Sequence, residues 1–312
     1  MSADGSRKAV LAAMAANAGI AVTKGAAFVF SGSAAMLSEA IHSAADTVNQ
    51  GLLLLGSSQA RRAPHAGRPF GYGRIRYIAA FIVAVILFLG GGLFSIYEGI
   101  HKWQHPEFDA STAWLPIAVL GCGLVLEAFS LRTALKAANE TRGTQSLSRF
   151  IKDTRQPELP VVLLEDFGAL LGLLIALVAV VLSLVTCDAR WDGIGAVCVG
   201  ALLVAVALIL FIELFSMLVG EAALPEAEAA IRQCVEDEGE FTSIIHMRTA
   251  HMSPDELLVG IKVAVAPDSP ANQIAAAIDR VEGQIRARVP SAIWIYIEAD
   301  VLDPQRGADH AG

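Results

Sequence analysis

Long apolar runs separated by short polar segments fill the first two thirds of the chain, and a faster alternation fills the last third. About 20 apolar residues in a helix span the hydrocarbon core of a bilayer. Six such windows can be placed, at roughly 9–31, 35–57, 76–99, 113–136, 160–185 and 193–217. This pattern predicts an α-helical membrane protein whose six transmembrane helices form a domain over residues 1–219.

The pattern changes from Leu224 to about Val301. An amphipathic helix, two β-rich runs, a second helix and a final strand follow one another, in the order αββαβ. This order predicts a small α+β domain over 220–304, with its helices on one face of a sheet. A domain of this size is only marginally stable alone, so pairing with a second copy would help it. Residues 305–312 are expected to form a disordered tail.

Composition supports the membrane assignment. Hydrophobic residues make up 54% of the chain, charged residues 17%, and the mean hydropathy is +0.54. The formal net charge is −8, with Asp and Glu concentrated towards the end of the chain, so nucleic acid is not an expected partner. The four cysteines lie far apart without a CxxC pair, which predicts neither a disulfide framework nor a zinc finger: Cys122, Cys187, Cys198 and Cys234.

Basic residues in the short loops predict the orientation of the helices. Lys and Arg cluster before window one, between windows two and three, and between windows four and five. The opposite loops carry only Lys102 and Arg190. Positively charged loops remain on the cytoplasmic side, so both termini and the small domain are expected inside.

The second window contains ionisable residues in the stretch SEAIHSAADTVNQ. Each such group costs about 2.5–3.5 kcal/mol to insert and is a functional candidate by default. His42 and Asp46 are four residues apart and share one helix face, so they can ligate one cation together. Zinc usually takes four ligands, so further ligands must come from another helix.

The fifth window supplies Glu165 and Asp166. From the helical rise, Asp46 lies about 13 Å and Asp166 about 9 Å above the inner edge of the core, so the two pairs can share one level. Adjacent residues are about 100° apart around a helix, so at most one of these carboxylates points squarely at the site. Neither segment contains a basic residue, and the uncompensated charge calls for a bound cation, a proton or both. An interhelical hydrogen-bond network is the alternative.

Three further ionisable residues are proton or gating candidates. Lys24 in window one and Glu39 in window two lie at similar depths from the outer side, which predicts an ion pair near the external opening. The alternative for Lys24 is snorkelling to the interface. Glu127 in window four is a second candidate for proton handling, or a hydrogen-bonding residue between helices.

Several motifs resemble those of the cation diffusion facilitator family. They are SGSAAMLSEAIHSAADTVNQ, RPFGYGRIRY and FSIYEGIHKW, and with LLED in window five they are similar to the branch that includes the animal mitochondrial zinc transporter. The resemblance covers about residues 8–303. It implies six spans, a cytoplasmic ferredoxin-like domain and a homodimer that exports a divalent cation, usually zinc, by proton-coupled alternating access.

The chain departs from the family pattern at two places. The family places its span-five ligands as HxxxD or DxxxD, but the residue four before Asp166 is Val162, so Glu165 could stand in, or the site could be three-coordinate plus water. In the inner domain, positions where relatives bind regulatory zinc match His246, Glu298 and Asp300, together with Lys262. A lysine there would repel a cation, so these three are weak cytoplasmic metal candidates.

Imidazole and carboxylate ligands suit zinc, and also manganese, cobalt or ferrous iron. Histidine binds a metal only when it is neutral, so protons compete with the ion. We expect a divalent cation antiporter that is not an enzyme and has no cofactor, because no catalytic motif such as HExxH or GxSxG is present. The alternatives are a membrane metal sensor that signals through the inner domain and an intramembrane metalloenzyme. The Ala-, Arg- and Gly-rich usage predicts a bacterial inner membrane.

Overall fold

The computed structural model describes residues 3–106 and 114–301. The predicted tail at 305–312 lies outside these residues. By its contacts the chain divides into two compact units. The first unit consists of the chain up to Arg62 and of Ile75–Phe215. The second consists of the intervening loop, Ala63–Arg74, and of the chain from Ser216 onward. The loop at Ala63–Arg74, which the sequence pattern put in the transmembrane domain, thus belongs to the second unit.

The first unit is helical. Its helices are α1 (Ala3–Ser31), α2 (Ala34–Ala60), α3 (Ile75–Ile86), α4 (Phe94–Gln104), α5 (Trp114–Arg142), α6 (Leu147–Asp153), α7 (Glu158–Thr186) and α8 (Arg190–Val219). A π-helical segment, Leu87–Leu93, joins α3 to α4 without a break.

Four helical segments in the described part of the chain are long and apolar enough to cross a bilayer: Ile75–Gln104, Trp114–Glu140, Glu158–Thr186 and Arg190–Val219. The first two predicted windows also form long helices, α1 and α2, but neither is among these four. The polar residues of α2 between Glu39 and Gln50, which include the predicted ligands, also lower the hydropathy of this helix. Membrane helices are therefore present, and the count of six stays a prediction.

Glycines bring α8 close to the helix that runs from α3 through the π-helical segment to α4. A Cβ at Gly92 would lie 2.6 Å from Val204 Cγ2, and one at Gly200 would lie 2.7 Å from the Gly92 carbonyl oxygen. Gly99 and Gly193 approach each other in the same way. Backbones can approach this closely only where side chains are absent, which is the usual role of small residues between membrane helices.

The beginning of α2 is fixed by side-chain hydrogen bonds. Ser33 Oγ accepts from the Met36 amide at 3.3 Å, as expected of an N-cap residue. Asp192, near the start of α8, accepts from Ser33 Oγ and from the Ala34 amide, both at 2.8 Å. A carboxylate at a helix N-terminus is favoured by the helix dipole, so this buried contact anchors α2 to α8.

The second unit contains α9 (Pro225–Glu236), β1 (Phe241–Ser253), β2 (Glu256–Val265), α10 (Ala271–Arg288) and β3 (Ala292–Asp300), in the predicted order. The strands lie in the order β1-β2-β3, with β1 antiparallel and β3 parallel to β2. Every second residue of β2 is buried, and α9 and α10 cover that face with their apolar stripes: Ile231, Cys234 and Val235 from α9, Ala277, Val281 and Ile285 from α10.

The loop at Ala63–Arg74 packs on the other face of this sheet. Phe70 makes an edge-to-face contact with Trp294 of β3, with ring centroids 5.3 Å apart. Arg74 Nη2 lies 3.5 Å from Met252 Sδ, and Gly73 comes so near Ser253 that a Cβ would clash. The second unit thus incorporates a segment that is far from it in sequence.

Candidate metal centre

One face of α2 carries the first two predicted ligands. His42 is 1% exposed, and its Nε2 lies 3.6 Å from Asp46 Oδ2, one helical turn away. Gly91 in the π-helical segment lies against the imidazole, since a Cβ there would be 3.7 Å from His42 Nδ1. Neither imidazole nitrogen has a hydrogen-bond partner, nor has Asp46 Oδ1. These buried atoms are free to bind an ion.

The two predicted ligands of α7 face different helices. Glu165 is 9% exposed, and its Oε1 accepts a 2.6 Å hydrogen bond from Asn49 Nδ2 of α2. Asp166 Oδ2 instead accepts from Ser130 Oγ of α5 at 2.9 Å. Neighbouring residues lie about 100° apart around a helix, so these two side chains form hydrogen bonds with different helices. Glu165 is the residue of this pair that joins α2, the helix of His42 and Asp46.

A cavity of about 450 Å³ reaches Asp166 between α5 and α7. Ser130 and Thr133 line it from α5, and Glu158 and Val162 line it from α7. Glu158, Val162 and Asp166 are spaced by four and so follow one helix face. At one end of this face, Glu158 is paired with Arg76 through two contacts of 2.6 and 2.9 Å.

Lys24 and Glu39 form the ion pair that their depths predicted. Lys24 Nζ lies 3.0 Å from Glu39 Oε2 and donates a 2.8 Å hydrogen bond to Ser43 Oγ. Both residues are 1% exposed. Gly172 of α7 lies against the other carboxylate oxygen, since a Cβ there would be 3.3 Å from Glu39 Oε1. Lys24 is therefore held inside the helix bundle and does not snorkel. Whether the pair gates transport stays a prediction, as does the proton-handling role of Glu127, which is half-buried on α5.

Asn49 is a residue of this site that was not among the predicted ligands; from the sequence it was expected to line the path or only to join helices. It is fully buried and lies seven residues after His42 and three after Asp46, on the same helix face. That spacing was the available signal. Its contact with Glu165 joins residues 116 positions apart, which local periodicity does not reveal.

The described residues contain no group of three or more His, Cys, Asp or Glu side chains close enough to hold an ion together. His42 and Asp46 thus form a pair, and Glu165 is brought to the same helix by an amide. A site of higher coordination requires a ligand of another type or a shift of α7.

Two of the three weak candidates of the second unit, His246 and Glu298, lie in one row across the sheet, and Asp300 is paired in register with Ala264. His246 is paired in register with Lys262, and Lys262 with Glu298. Lys262 Nζ lies 2.8 Å from Asp300 Oδ2 and 3.0 Å from Glu298 Oε1. Hydrogen bonds to Asp300 and then Glu298 raise the pKa of Lys262, so its ammonium ion stays charged between the two carboxylates. A metal ion at these carboxylates would have to displace that ammonium ion.

Comparison with known proteins identifies the family. The model of the cation efflux transmembrane domain matches residues 10–219. The chain is 35% identical over 228 residues to the proton-coupled zinc antiporter SLC30A9, mitochondrial, of Xenopus laevis, covering 72% of this chain and 41% of that protein. It is 28% identical over 255 residues to metal tolerance protein C4 of Arabidopsis thaliana, covering 80% of this chain and 55% of that protein.

The chain therefore spans less than two thirds of the length of these relatives. A solved nickel form of a MamM C-terminal domain variant aligns with 26% of the chain at 12% identity and a TM-score of 0.24, which is too low to support an argument. The relatives include proteins named as mitochondrial, so the comparisons do not support the predicted bacterial inner membrane. The match over residues 10–219 is nonetheless decisive for the family, and the chain belongs to the cation efflux, or cation diffusion facilitator, family of integral membrane proteins.

Proposed function

We propose that this protein transports a divalent metal cation in exchange for protons, and that the cation is zinc. The observation that carries the proposal is the α2 face with His42 and Asp46, whose buried nitrogen and oxygen atoms lack partners, joined to Glu165 of α7 through Asn49. Relatives named as a proton-coupled zinc antiporter and as a metal tolerance protein support the same conclusion.

Charge explains why the cargo is a cation. The proposed site contains two carboxylates and an imidazole, those of Asp46, Glu165 and His42. The ammonium ion of Lys24 on the neighbouring α1 does not compensate them, because it is already paired with Glu39. An ionised carboxylate in hydrocarbon is costly unless it is paired or coordinates an ion. A divalent cation supplies that compensation on the way in, and protons can replace it on the way out because both imidazole and carboxylate bind them.

Alternating access provides the transport step. The site joins α2 to α7, so a relative movement of these two helices would assemble it on one side and separate it on the other. In this scheme the cavity at Asp166 is the inner route to the site, and Glu158 with Arg76 lies at its mouth. The Lys24–Glu39 pair closes the outer side.

The wider arrangement belongs to the same proposal. In a six-span arrangement with both termini in the cytoplasm, α1 and α2 would be the first two spans. The other membrane helices would pack beside them. The C-terminal domain would then be a cytoplasmic ferredoxin-like domain that joins two copies into a homodimer. The pairing of Lys262 with Glu298 and Asp300 disfavours metal binding there, and with it a sensor function. The members of this family are transporters and not enzymes, in line with the sequence prediction.

Reconstituted protein tests the proposal. Proteoliposomes with an imposed pH gradient should take up zinc, and Asp46→Ala should abolish the pH-driven flux. Glu140→Gln serves as the control, because Glu140 is an exposed carboxylate near the end of α5 and should leave the flux unchanged. Zinc uptake that ignores the pH gradient would exclude exchange with protons, and unchanged flux in Asp46→Ala would exclude this site.

A further inference from the structure

We propose that the amide oxygen of Asn49 is a direct ligand of the transported ion, and this rests on the proposed function. The starting point is spacing. His42, Asp46 and Asn49 follow each other by four and three residues, so the three side chains form one stripe along α2. The stripe reads HxxxDxxN, with a donor atom at each turn of the helix.

Burial, hydrogen bonding and position together distinguish Asn49 from an ordinary packing amide. Asn49 is 0% exposed, and its Nδ2 donates to Glu165 at 2.6 Å. Its Oδ1 is buried without a hydrogen-bond partner, as are both nitrogens of His42 and Oδ1 of Asp46. Gln50 Oε1 is also buried without a partner, but Gln50 lies about 80° around α2 from His42, whereas Asn49 lies within about 20°. A buried carbonyl group without a partner costs about 1–3 kcal/mol, so such a group is expected to have a use.

The contact with Glu165 uses one end of the amide. Nδ2 of Asn49 donates to Glu165 Oε1 at 2.6 Å, and Oδ1 makes no hydrogen bond. Glu165 thus engages the NH₂ group and leaves Oδ1 as the acceptor atom of this side chain on the stripe.

This arrangement also accounts for the missing third ligand. Among the described residues, His, Cys, Asp and Glu side chains form no group of three around a possible ion. An amide oxygen from Asn49 raises the set on α2 from two ligands to three, before any movement of α7. The resulting nitrogen and oxygen ligands form a harder set than imidazole and thiolate, and carbonyl oxygens suit manganese better than they suit zinc.

The expected consequence concerns both affinity and selectivity. Removal of the oxygen in Asn49→Ala should weaken zinc binding about tenfold or more, a loss at the lower end of that seen for altered metal sites. Manganese binding should weaken by a larger factor, because a carbonyl oxygen contributes more to the affinity of the harder ion. The ratio of the two dissociation constants is independent of how much of the preparation is folded.

Asn49→Asp separates a ligand from a residue that only positions Glu165. Aspartate keeps an oxygen that can bind the ion but loses the NH₂ group that donates to Glu165. If Asn49 is a ligand, this variant should retain zinc binding within about threefold, as expected when one oxygen ligand replaces another. If Asn49 only positions Glu165, both variants should lose affinity to the same extent.

The experiment measures dissociation constants of zinc and manganese for the purified full chain, together with the visible absorption of the Co²⁺-loaded protein, which changes with ligand number. Gln50→Ala is the matched control, since it removes an amide oxygen of α2 that is also buried without a partner but lies off the stripe, and it should change neither constant. Equal losses in Asn49→Ala and Asn49→Asp, an unchanged Co²⁺ spectrum in Asn49→Ala, or an equal loss in Gln50→Ala would overturn the assignment. Wild-type protein without any metal binding would instead refute the proposed function.

Discussion

At the scale of single residues, the ion pair between Lys24 and Glu39 is almost completely buried, with the two side chains 2% and 1% exposed. With both side chains at most 2% exposed, the stability of the pair depends on each partner compensating the other. Loss of one partner from a buried pair costs about 3–5 kcal/mol, whereas loss of both can be nearly neutral.

A double-mutant cycle tests this dependence. Lys24→Met should lower the melting temperature of the purified protein strongly, because it leaves the Glu39 carboxylate unpaired. Lys24→Met combined with Glu39→Gln should recover most of that loss. Additive losses in the double variant would show that the pair does not act as a unit.

The two predicted ligands of α7 should differ when each is neutralised. Glu165→Gln should weaken zinc binding by about tenfold or more, because Glu165 is the one that reaches α2. Asp166→Asn should mainly slow entry, since Asp166 lines the cavity between α5 and α7 and accepts a hydrogen bond from Ser130 of α5. Equilibrium zinc titration and initial uptake rates separate the two effects. A larger loss of affinity in Asp166→Asn would reverse the assignment.

The sequence predicted candidate ligands but not the contacts between them. The shared helix face of His42 and Asp46 follows from helix periodicity alone, and the helical rise predicts that Glu165 and Asp166 lie near the depth of that pair. The contacts of Asn49 with Glu165 and of Asp192 with Ser33 join residues more than 100 positions apart. Pairs at such separations depend on how helices pack, which no local pattern encodes.

At the scale of elements, glycines govern how closely the helical segment Ile75–Gln104 approaches α8. A Cβ at Gly99 would lie 2.6 Å from the Gly193 carbonyl oxygen and 2.7 Å from the Val197 amide nitrogen. Both are backbone atoms, so the helices themselves would have to separate.

Gly99→Ala should therefore lower the melting temperature and the yield of folded protein, measured by size-exclusion chromatography in detergent. Gly121→Ala is the control, because Gly121 also lies within a helix, α5, but a Cβ there meets nothing within 4 Å. Alanine is favoured over glycine in a helix by about 1 kcal/mol, so this control should be neutral or stabilising. Equal effects of the two substitutions would exclude close packing as the cause.

The π-helical segment was a difference between prediction and structure at this scale. Its residues, LFLGGGL, follow the apolar pattern of any membrane helix, and the pattern predicted a regular span. Three consecutive glycines carry no side chains to define the helical turn, and π-helical segments often occur at functional sites. Here the segment lies against His42 through Gly91.

At the scale of the whole molecule, the loop at Ala63–Arg74 belongs to the second unit, although in sequence it lies between two helices of the first unit, α2 and α3. The loop follows the end of α2, the helix of the candidate metal site, and belongs to the second unit through its contacts with β3 and the end of β1. Sequence alone would treat this segment as a basic loop on the membrane surface, because arginines lie within it and on both sides of it: Arg61, Arg62, Arg68, Arg74 and Arg76. The aromatic contact of Phe70 with Trp294 shows that apolar packing also contributes.

Phe70→Ala should release this loop from the sheet. An edge-to-face aromatic pair adds about 0.5–1.5 kcal/mol beyond its buried area, and the lost burial of the ring adds to this. Trypsin should then cleave after Arg74 faster, by about tenfold for a loss of 1.4 kcal/mol if cleavage follows the open population. Limited proteolysis of the protein followed by mass spectrometry measures the rate at Arg74. Ile293→Ala is the matched control, because Ile293 is an exposed apolar residue of the same strand. It should leave the rates unchanged, and an equal rise in both variants would show that the strand as a whole, and not the Phe70 contact, protects the loop.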